Sequence, residues 1–229
     1  MHRRNFLKAA GLTTVGLAYR TAANGATLQS AENSREKKPN IILIMGDDMG
    51  YECLGCNGSA EYDTPNIDRM AAKGIRFTNC YSQPLCTPSR VKIMTGRYNV
   101  RNYKHFGYLD PREITFGQVL KKAGYKTCVA GKWQLGKTIE GSGTDIENNT
   151  PYDLGFDTYC LRVGGARSGY EDPEIQIDGK YHEKMKGKYG PDVFSEHILN
   201  NIEKNRDRPF FFYYPMALPH YPYVPTPYI

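Results

Sequence analysis

Two aspartates stand side by side at Asp47-Asp48, after the apolar run Asn40-Ile41-Ile42-Leu43-Ile44-Met45 and a glycine. Carboxylates held that close repel, and a divalent cation relieves the repulsion, so the pair is a candidate hard-metal site; an acidic turn is the bland alternative. The segment Cys86-Thr87-Pro88-Ser89-Arg90 puts a thiol just ahead of a helix start, where its reactivity can rise; a buried structural cysteine is the alternative. Arg90 follows Cys86 by one helical turn. Further along stand Gly131-Lys132-Trp133-Gln134 and Pro219-His220-Tyr221-Pro222. A lone histidine such as His220 is ordinarily a core residue, but its place after a strand end makes it a candidate site residue. Cys53-x-x-Cys56 has redox or zinc spacing, but no second Cys or His pair follows at zinc-ligand spacing, and the pair reads as structural. Cys80, Cys128 and Cys160 are expected to be buried thiols. Trp133 reads equally well as a pocket wall or a core anchor.

The intervening chain must position these groups. The run 40–45 predicts a strand buried on both faces, as in parallel sheets. Thr64 to Gly74 predicts a helix with Thr64 as cap, Pro65 in the first turn and a closing glycine. Ile75 to Tyr81 predicts a strand. Helices are expected from near Pro88 to Thr95, from Thr115 to Lys122 and from Asp192 to Lys204. Strands are expected at Tyr125–Ala130 and, as an aromatic run, at Pro209–Tyr214. Residues 137–190, rich in Gly, Asp, Asn and Tyr, read as long loops with a small hairpin around Asp178-Gly179. Strands alternating with helices predict an α/β fold, a mostly parallel sheet with helices on both faces. In such sheets chemistry gathers beyond the carboxyl ends of strands, where Asp47-Asp48, Lys132-Gln134 and His220 all fall.

The chain has 229 residues and a formal charge of +6, which invites a polyanion partner. The amino terminus removes that reading. Met1-His2-Arg3-Arg4-Asn5-Phe6-Leu7-Lys8 is basic, residues 9–19 are moderately apolar, and 21–26 are small. Basic, apolar, small is the order of an export signal, and Arg-Arg-x-Phe-Leu-Lys resembles a bacterial twin-arginine signal, read by a Tat translocase that carries folded proteins. Residues 1–26 hold four of the 30 basic residues and no acid; without them 26 bases face 24 acids, and the charge is +2. No nucleic-acid partner is therefore expected. No run of 18 or more apolar residues occurs, so no stable transmembrane segment is expected either. Residues 27–38 read as a solvated linker and 39–229 as the folded domain.

The spacing Cys86-x-Pro88-x-Arg90, followed by Met94-Thr95-Gly96-Arg97-Tyr98, resembles the modification signal of the formylglycine-dependent (type I) sulfatases. Residues 40–50 resemble that family's first metal-binding strand and Thr64-Pro65-Asn66-Ile67-Asp68 its next helix. Ala130-Gly131-Lys132-Trp133 and Pro219-His220-x-Pro222 recur in the family's order. Cys56, in Leu54-Gly55-Cys56, also resembles the family. The resemblance implies the alkaline-phosphatase-like α/β fold and a sulfuric ester hydrolase exported to the periplasm or beyond. It implies that a formylglycine-generating or maturase enzyme oxidises Cys86 to an aldehyde. The hydrate's one hydroxyl attacks sulfur and expels the alcohol; the other drives sulfate out and restores the aldehyde. Asp47 and Asp48 would be ligands of a divalent metal, calcium in most relatives, with residue 86 against it. Arg90 would hold the hydrate, Lys132 would neutralise sulfate charge, and His220 would contact sulfate or the leaving oxygen.

One departure from the family stands out. Many members carry His two residues after the lysine; here the residue is Gln134, which hydrogen-bonds but does not shuttle a proton near neutral pH. It is expected to line the substrate site without an acid–base role. The resemblance also implies an Asp-Asn pair and a further lysine after the histidine motif, so the sequence reads as the amino-terminal part of a sulfatase. By family analogy the substrate is a sulfated polysaccharide. Hydrolysis of phosphonate monoesters or phosphodiesters, or an inactive remnant, are the alternatives.

Overall fold

The computed structural model describes residues 38–136, 150–163 and 169–228. The expected leader 1–26, nearly all of the linker 27–38, and parts of the loop region at 137–149 and 164–168 lie outside the described residues.

Among the described residues the sheet has six strands in the order β1-β6-β2-β3-β4-β5. They are β1 (Ile41–Met45), β2 (Lys126–Lys132), β3 (Thr158–Arg162), β4 (Ile175–Ile177), β5 (Lys180–His182) and β6 (Phe210–Pro215). The first four in that order are mutually parallel; β4 and β5 add an antiparallel hairpin. Its turn is Asp178-Gly179, both at positive φ, as expected for the tightest hairpin turns. The helices are α1 (Pro65–Lys73), α2 (Cys86–Thr95), α3 (Phe116–Lys122) and α4 (Gly190–Lys204).

Strand periodicity divides the core into two faces. On β6, Phe211 and Tyr213 join Val129 of β2, Val91 and Met94 of α2, and Trp133 and Phe156. The alternate residues Phe210 and Phe212 join Cys128 and Ala130 of β2 and Phe194 and Ile198 of α4. The central strands are therefore buried on both sides, with α2 and α3 on one face and α4 on the other. Trp133 is fully buried, which resolves it as a core anchor.

Several expectations are corrected. Among the described residues β1 lies at the sheet edge: Ile41, Leu43 and Met45 pack on the core, while Ile42 and Ile44 are 47% and 56% exposed. Its continuous apolar pattern had predicted burial on both faces. Residues 75–81 form no strand; no other described segment pairs with them, and Ile75, Phe77 and Tyr81 are exposed. Cys80 is exposed rather than buried. The loop-rich reading of 137–190 missed β3, a fully paired central strand. α2 begins at Cys86, two residues earlier than expected, and α4 at Gly190. Thr64 does not cap α1 through its side chain; its hydroxyl accepts from Gly55 N (2.8 Å) and donates to Asp68 (3.0 Å). Thr115 and Gln118 form a reciprocal capping box on α3.

Candidate active site

The carboxyl ends of β1, β6 and β2 converge, and the backbone continues the pairing past the strands. Met216 N donates to Met45 O (2.8 Å), and Asp47 N donates to Leu218 O (3.0 Å). These bonds bring the loop after β1 against the loop after β6. Gly131, near the tip of β2, has φ 130°, and a Cβ there would collide with the Pro215 carbonyl oxygen. Only glycine lets β2 and β6 close up at this point.

Asp47 is the hub. It is 1% exposed, and the Lys132 ammonium lies 2.5 Å from its Oδ2. The Arg90 guanidinium lies 3.3 Å from its Oδ1 and donates through Nη1 to the Lys132 carbonyl (3.0 Å). Arg90 is itself 1% exposed, and its Nε has no hydrogen-bond partner among the described residues. Two buried cations thus face one buried carboxylate. The surplus positive charge, with an unsatisfied guanidinium N–H, fits an anion. Burial pushes the nearby Tyr213 hydroxyl upward in pKa, while the Arg90 charge opposes that shift.

Asp48 and His220 form a second pair, with His220 Nε2 3.5 Å from Asp48 Oδ2. The His220 Nδ1 lies 2.8 Å from the Tyr221 carbonyl, which can only accept, so the Nδ1 proton points there. Asp48 is half-exposed and adopts positive φ (61°), the region asparagine and aspartate enter most readily among non-glycine residues. Tyr170, which no motif marked, ties this loop down: its hydroxyl donates to the carbonyls of Ala217 (3.0 Å) and His220. Arg162, at the carboxyl end of β3, lies over the Tyr170 ring at 5.6 Å. The run Thr158-Tyr159-Cys160-Leu161-Arg162 carries strand-forming residues, a signal that could have located Arg162.

Cys86 is the first residue of α2, half-buried and a free thiol. Arg90 is four residues on, so both project from one face of the helix. Gln134 follows Lys132 by two residues, at φ 60°, and its buried Oε1 has no hydrogen-bond partner among the described residues. Cys53 and Cys56 are half-buried free thiols.

The structure therefore joins Asp47, Arg90 and Lys132 in one cluster and Asp48 with His220 in another, linked through the chain at Asp47-Asp48. Cys86 and Gln134 flank the first cluster along the sequence, without a direct bond to it. As a metal site the donors fit in type but not in number. Asp47 and Asp48 offer the oxygen ligands a hard divalent cation takes, yet no group of three or more His, Cys, Asp or Glu converges among the described residues. Both Asp47 oxygens already face cations of the chain. No helix among the described residues is long and apolar enough to cross a membrane.

Comparison with known proteins identifies the family. The family model "Sulfatase" matches residues 39–229. The chain is 33% identical over 211 residues to an N-acetylglucosamine-6-O-sulfatase of Bacteroides thetaiotaomicron, covering 88% of this chain and 34% of that protein. It is 34% identical over 216 residues to human arylsulfatase A, covering 81% of this chain and 42% of the relative. A structure solved in complex with its substrate D-glucosamine-2-N,6-O-disulfate superposes with a TM-score of 0.72 at 33% identity, over 84% of this chain and 37% of the other. The chain thus spans about a third to two-fifths of the length of these relatives. Matched over more than four-fifths of its length, the chain belongs to the sulfatase family.

Proposed function

We propose that the protein hydrolyses sulfate esters of carbohydrates, with Cys86, after oxidation to formylglycine, as the source of the nucleophile. The observation that carries this reading is the buried Asp47–Arg90–Lys132 cluster, with Cys86 one turn from Arg90 on α2. Its surplus positive charge suits a sulfate group beside residue 86. The sugar is supported by the glucosamine disulfate bound to the structural relative and by the name of the bacterial relative.

In this reading Lys132 neutralises sulfate oxygens as the S–O bond breaks, and the Arg90 guanidinium orients the group at residue 86. His220 contacts the sulfate or the leaving oxygen through Nε2, which faces Asp48, since its Nδ1 is engaged by the Tyr221 carbonyl. Gln134 hydrogen-bonds substrate and moves no proton. Asp47 and Asp48 would hold a divalent cation such as Ca²⁺, which would supply positive charge for sulfate oxygens and for the attacking hydroxyl. Further ligands must come from outside the described residues, since two carboxylates do not complete a calcium shell. Residues 1–26 act as a twin-arginine signal and 27–38 as a linker. The domain 39–229 then works in the periplasm or outside the cell, after a maturation enzyme has acted on Cys86.

The test is tryptic mass spectrometry of protein isolated from a host with the maturation enzyme, paired with sulfate release from a 6-sulfated glucosamine. The peptide Phe77–Arg90 is expected to carry an aldehyde at position 86, and Cys86→Ala is expected to abolish release. Thiol alone at position 86, together with no sulfate release, would refute the proposal.

A further inference from the structure

Of the proposed site residues, His220 has the least support from regular structure. It is half-buried and lies beyond the end of β6. Its ring meets the Asp48 carboxylate at 3.5 Å and the Tyr221 carbonyl at 2.8 Å, and both partners are themselves in loops. Its backbone closes a turn, with His220 N donating to Ala217 O (3.2 Å). A ring carried on such a turn needs an anchor if it is to meet a reacting group to within about 0.5 Å.

Tyr170 supplies that anchor. Its hydroxyl lies against the carbonyls of Ala217 (3.0 Å) and His220, the two ends of the turn. Carbonyls only accept, so the one hydroxyl proton is shared between them. Burial pushes the Tyr170 hydroxyl up in pKa; the Arg162 charge opposes this and Asp47 and Asp48 add to it, so the group stays a donor. Tyr170 is itself fixed from elsewhere in the fold. It is buried, and its carbonyl accepts from Gly190 N (2.7 Å), the first residue of α4. Its neighbour Glu171 bridges antiparallel to Tyr189. Its ring meets the Tyr189 ring edge-on, with centroids 6.2 Å apart, and carries the Arg162 guanidinium at 5.6 Å. Arg162 ends β3 and pairs in register with Lys132. The tyrosine therefore ties the His220 turn to α4 and β3, on the scaffold that also carries Lys132.

We infer that Tyr170 is a positioning residue for the reaction, which acts through His220 by holding the turn that presents Nε2 to the sulfate or the leaving oxygen. The inference rests on the sulfatase reading and adds a residue to which neither a motif nor the proposed chemistry gives a role. Such a residue touches no substrate. Its effect on rate passes entirely through the ring it orients, and a misplacement of about 1 Å can cost about 100-fold.

The experiment is a double-mutant cycle on protein carrying the aldehyde at position 86, read as sulfate release from D-glucosamine 6-sulfate. Tyr170→Phe removes only the hydroxyl and keeps the ring against Tyr189 and Arg162. It should lower kcat by about 10- to 100-fold and move KM by about threefold or less. In a His220→Ala background the same substitution should cost about twofold or less, because the ring it positions is gone. Amide exchange at His220, whose N–H bonds Ala217 O, should quicken in Tyr170→Phe while that of α4 stays as in wild type. Losses that multiply in the double variant would mean that Tyr170 acts on the fold at large and would overturn the inference. An unchanged kcat, or unchanged exchange at His220, would overturn it as well. All three results leave the sulfatase reading intact, since the wild type is then active. A wild-type protein that releases no sulfate overturns that reading, and this inference with it.

Discussion

Asp47→Asn strands two buried cations at once. The wild-type carboxylate faces Lys132 at 2.5 Å and Arg90 at 3.3 Å, with side chains only 11% and 1% exposed. Asparagine preserves shape and one acceptor but removes the charge. Breaking a buried pair by deleting one partner costs about 3–5 kcal/mol, because the remaining charge stays desolvated. For a chain of this size each kcal/mol moves the melting temperature by about 2–4 °C, so the midpoint should fall by about 6–20 °C. The opposite deletion, Lys132→Met, leaves Asp47 paired one-to-one with Arg90 and should cost about 1 kcal/mol or less. In the Lys132→Met background, Asp47→Asn strands one cation instead of two, so its cost should shrink. Thermal unfolding followed by circular dichroism in the presence of chelator reads all four proteins without contribution from added metal. The reasoning fails if Asp47→Asn melts within about 2 °C of wild type. It fails equally if the cost is the same with and without Lys132.

Two further outcomes follow from particular contacts. Gly131→Ala should cost about 3 kcal/mol or more, since its Cβ meets the Pro215 carbonyl at positive φ. Gly124→Ala, also at positive φ but with only a distant lysine tip nearby, should cost about 1–2 kcal/mol; equal melting temperatures would show that the collision does not matter. The Arg112 hydrogen bond holds the Asp110 carboxyl at about 2. A depressed carboxylate stabilises the fold above its ordinary value near 3.8, and that contribution is lost as pH falls towards 2. Arg112→Ala should raise the Asp110 midpoint in a carboxyl NMR titration and flatten the acid limb of stability; an unchanged midpoint would refute the assignment.

The sequence carried the parallel layer and the site motifs because both are local patterns. The Ile-rich run at 41–45 and the Phe-Tyr run at 210–215 announce strands, and Thr115 with Gln118 announces a helix start. Residues 75–81 have the same strand-like composition yet form no ladder, because a strand requires a partner and composition does not supply one. β3 hid in a glycine-rich region, since five residues bounded by turns give a weak periodic signal. At the site, the family resemblance implied separate tasks for Asp47, Arg90 and Lys132. The fold instead uses both cations to satisfy one carboxylate. Tyr170 was invisible because its importance comes from side-chain bonds to distant backbone carbonyls that no residue spacing encodes.

The pairing of β1 with β6 joins stretches of chain 170 positions apart, as the Asn40–Phe210 contact marks. On the ribosome β1 emerges early and then waits for its partner. At about 5–20 residues per second that delay is on the order of 10–30 s. For that time an isoleucine-rich segment with open hydrogen-bonding groups stands unprotected, the kind of sequence that associates with copies of itself. Asp47 meets His220's loop only when β6 arrives, so the proposed site cannot assemble before then. A chaperone that shields the nascent segment would therefore govern yield, and synonymous changes that slow translation between codons 45 and 210 should favour aggregation over assembly.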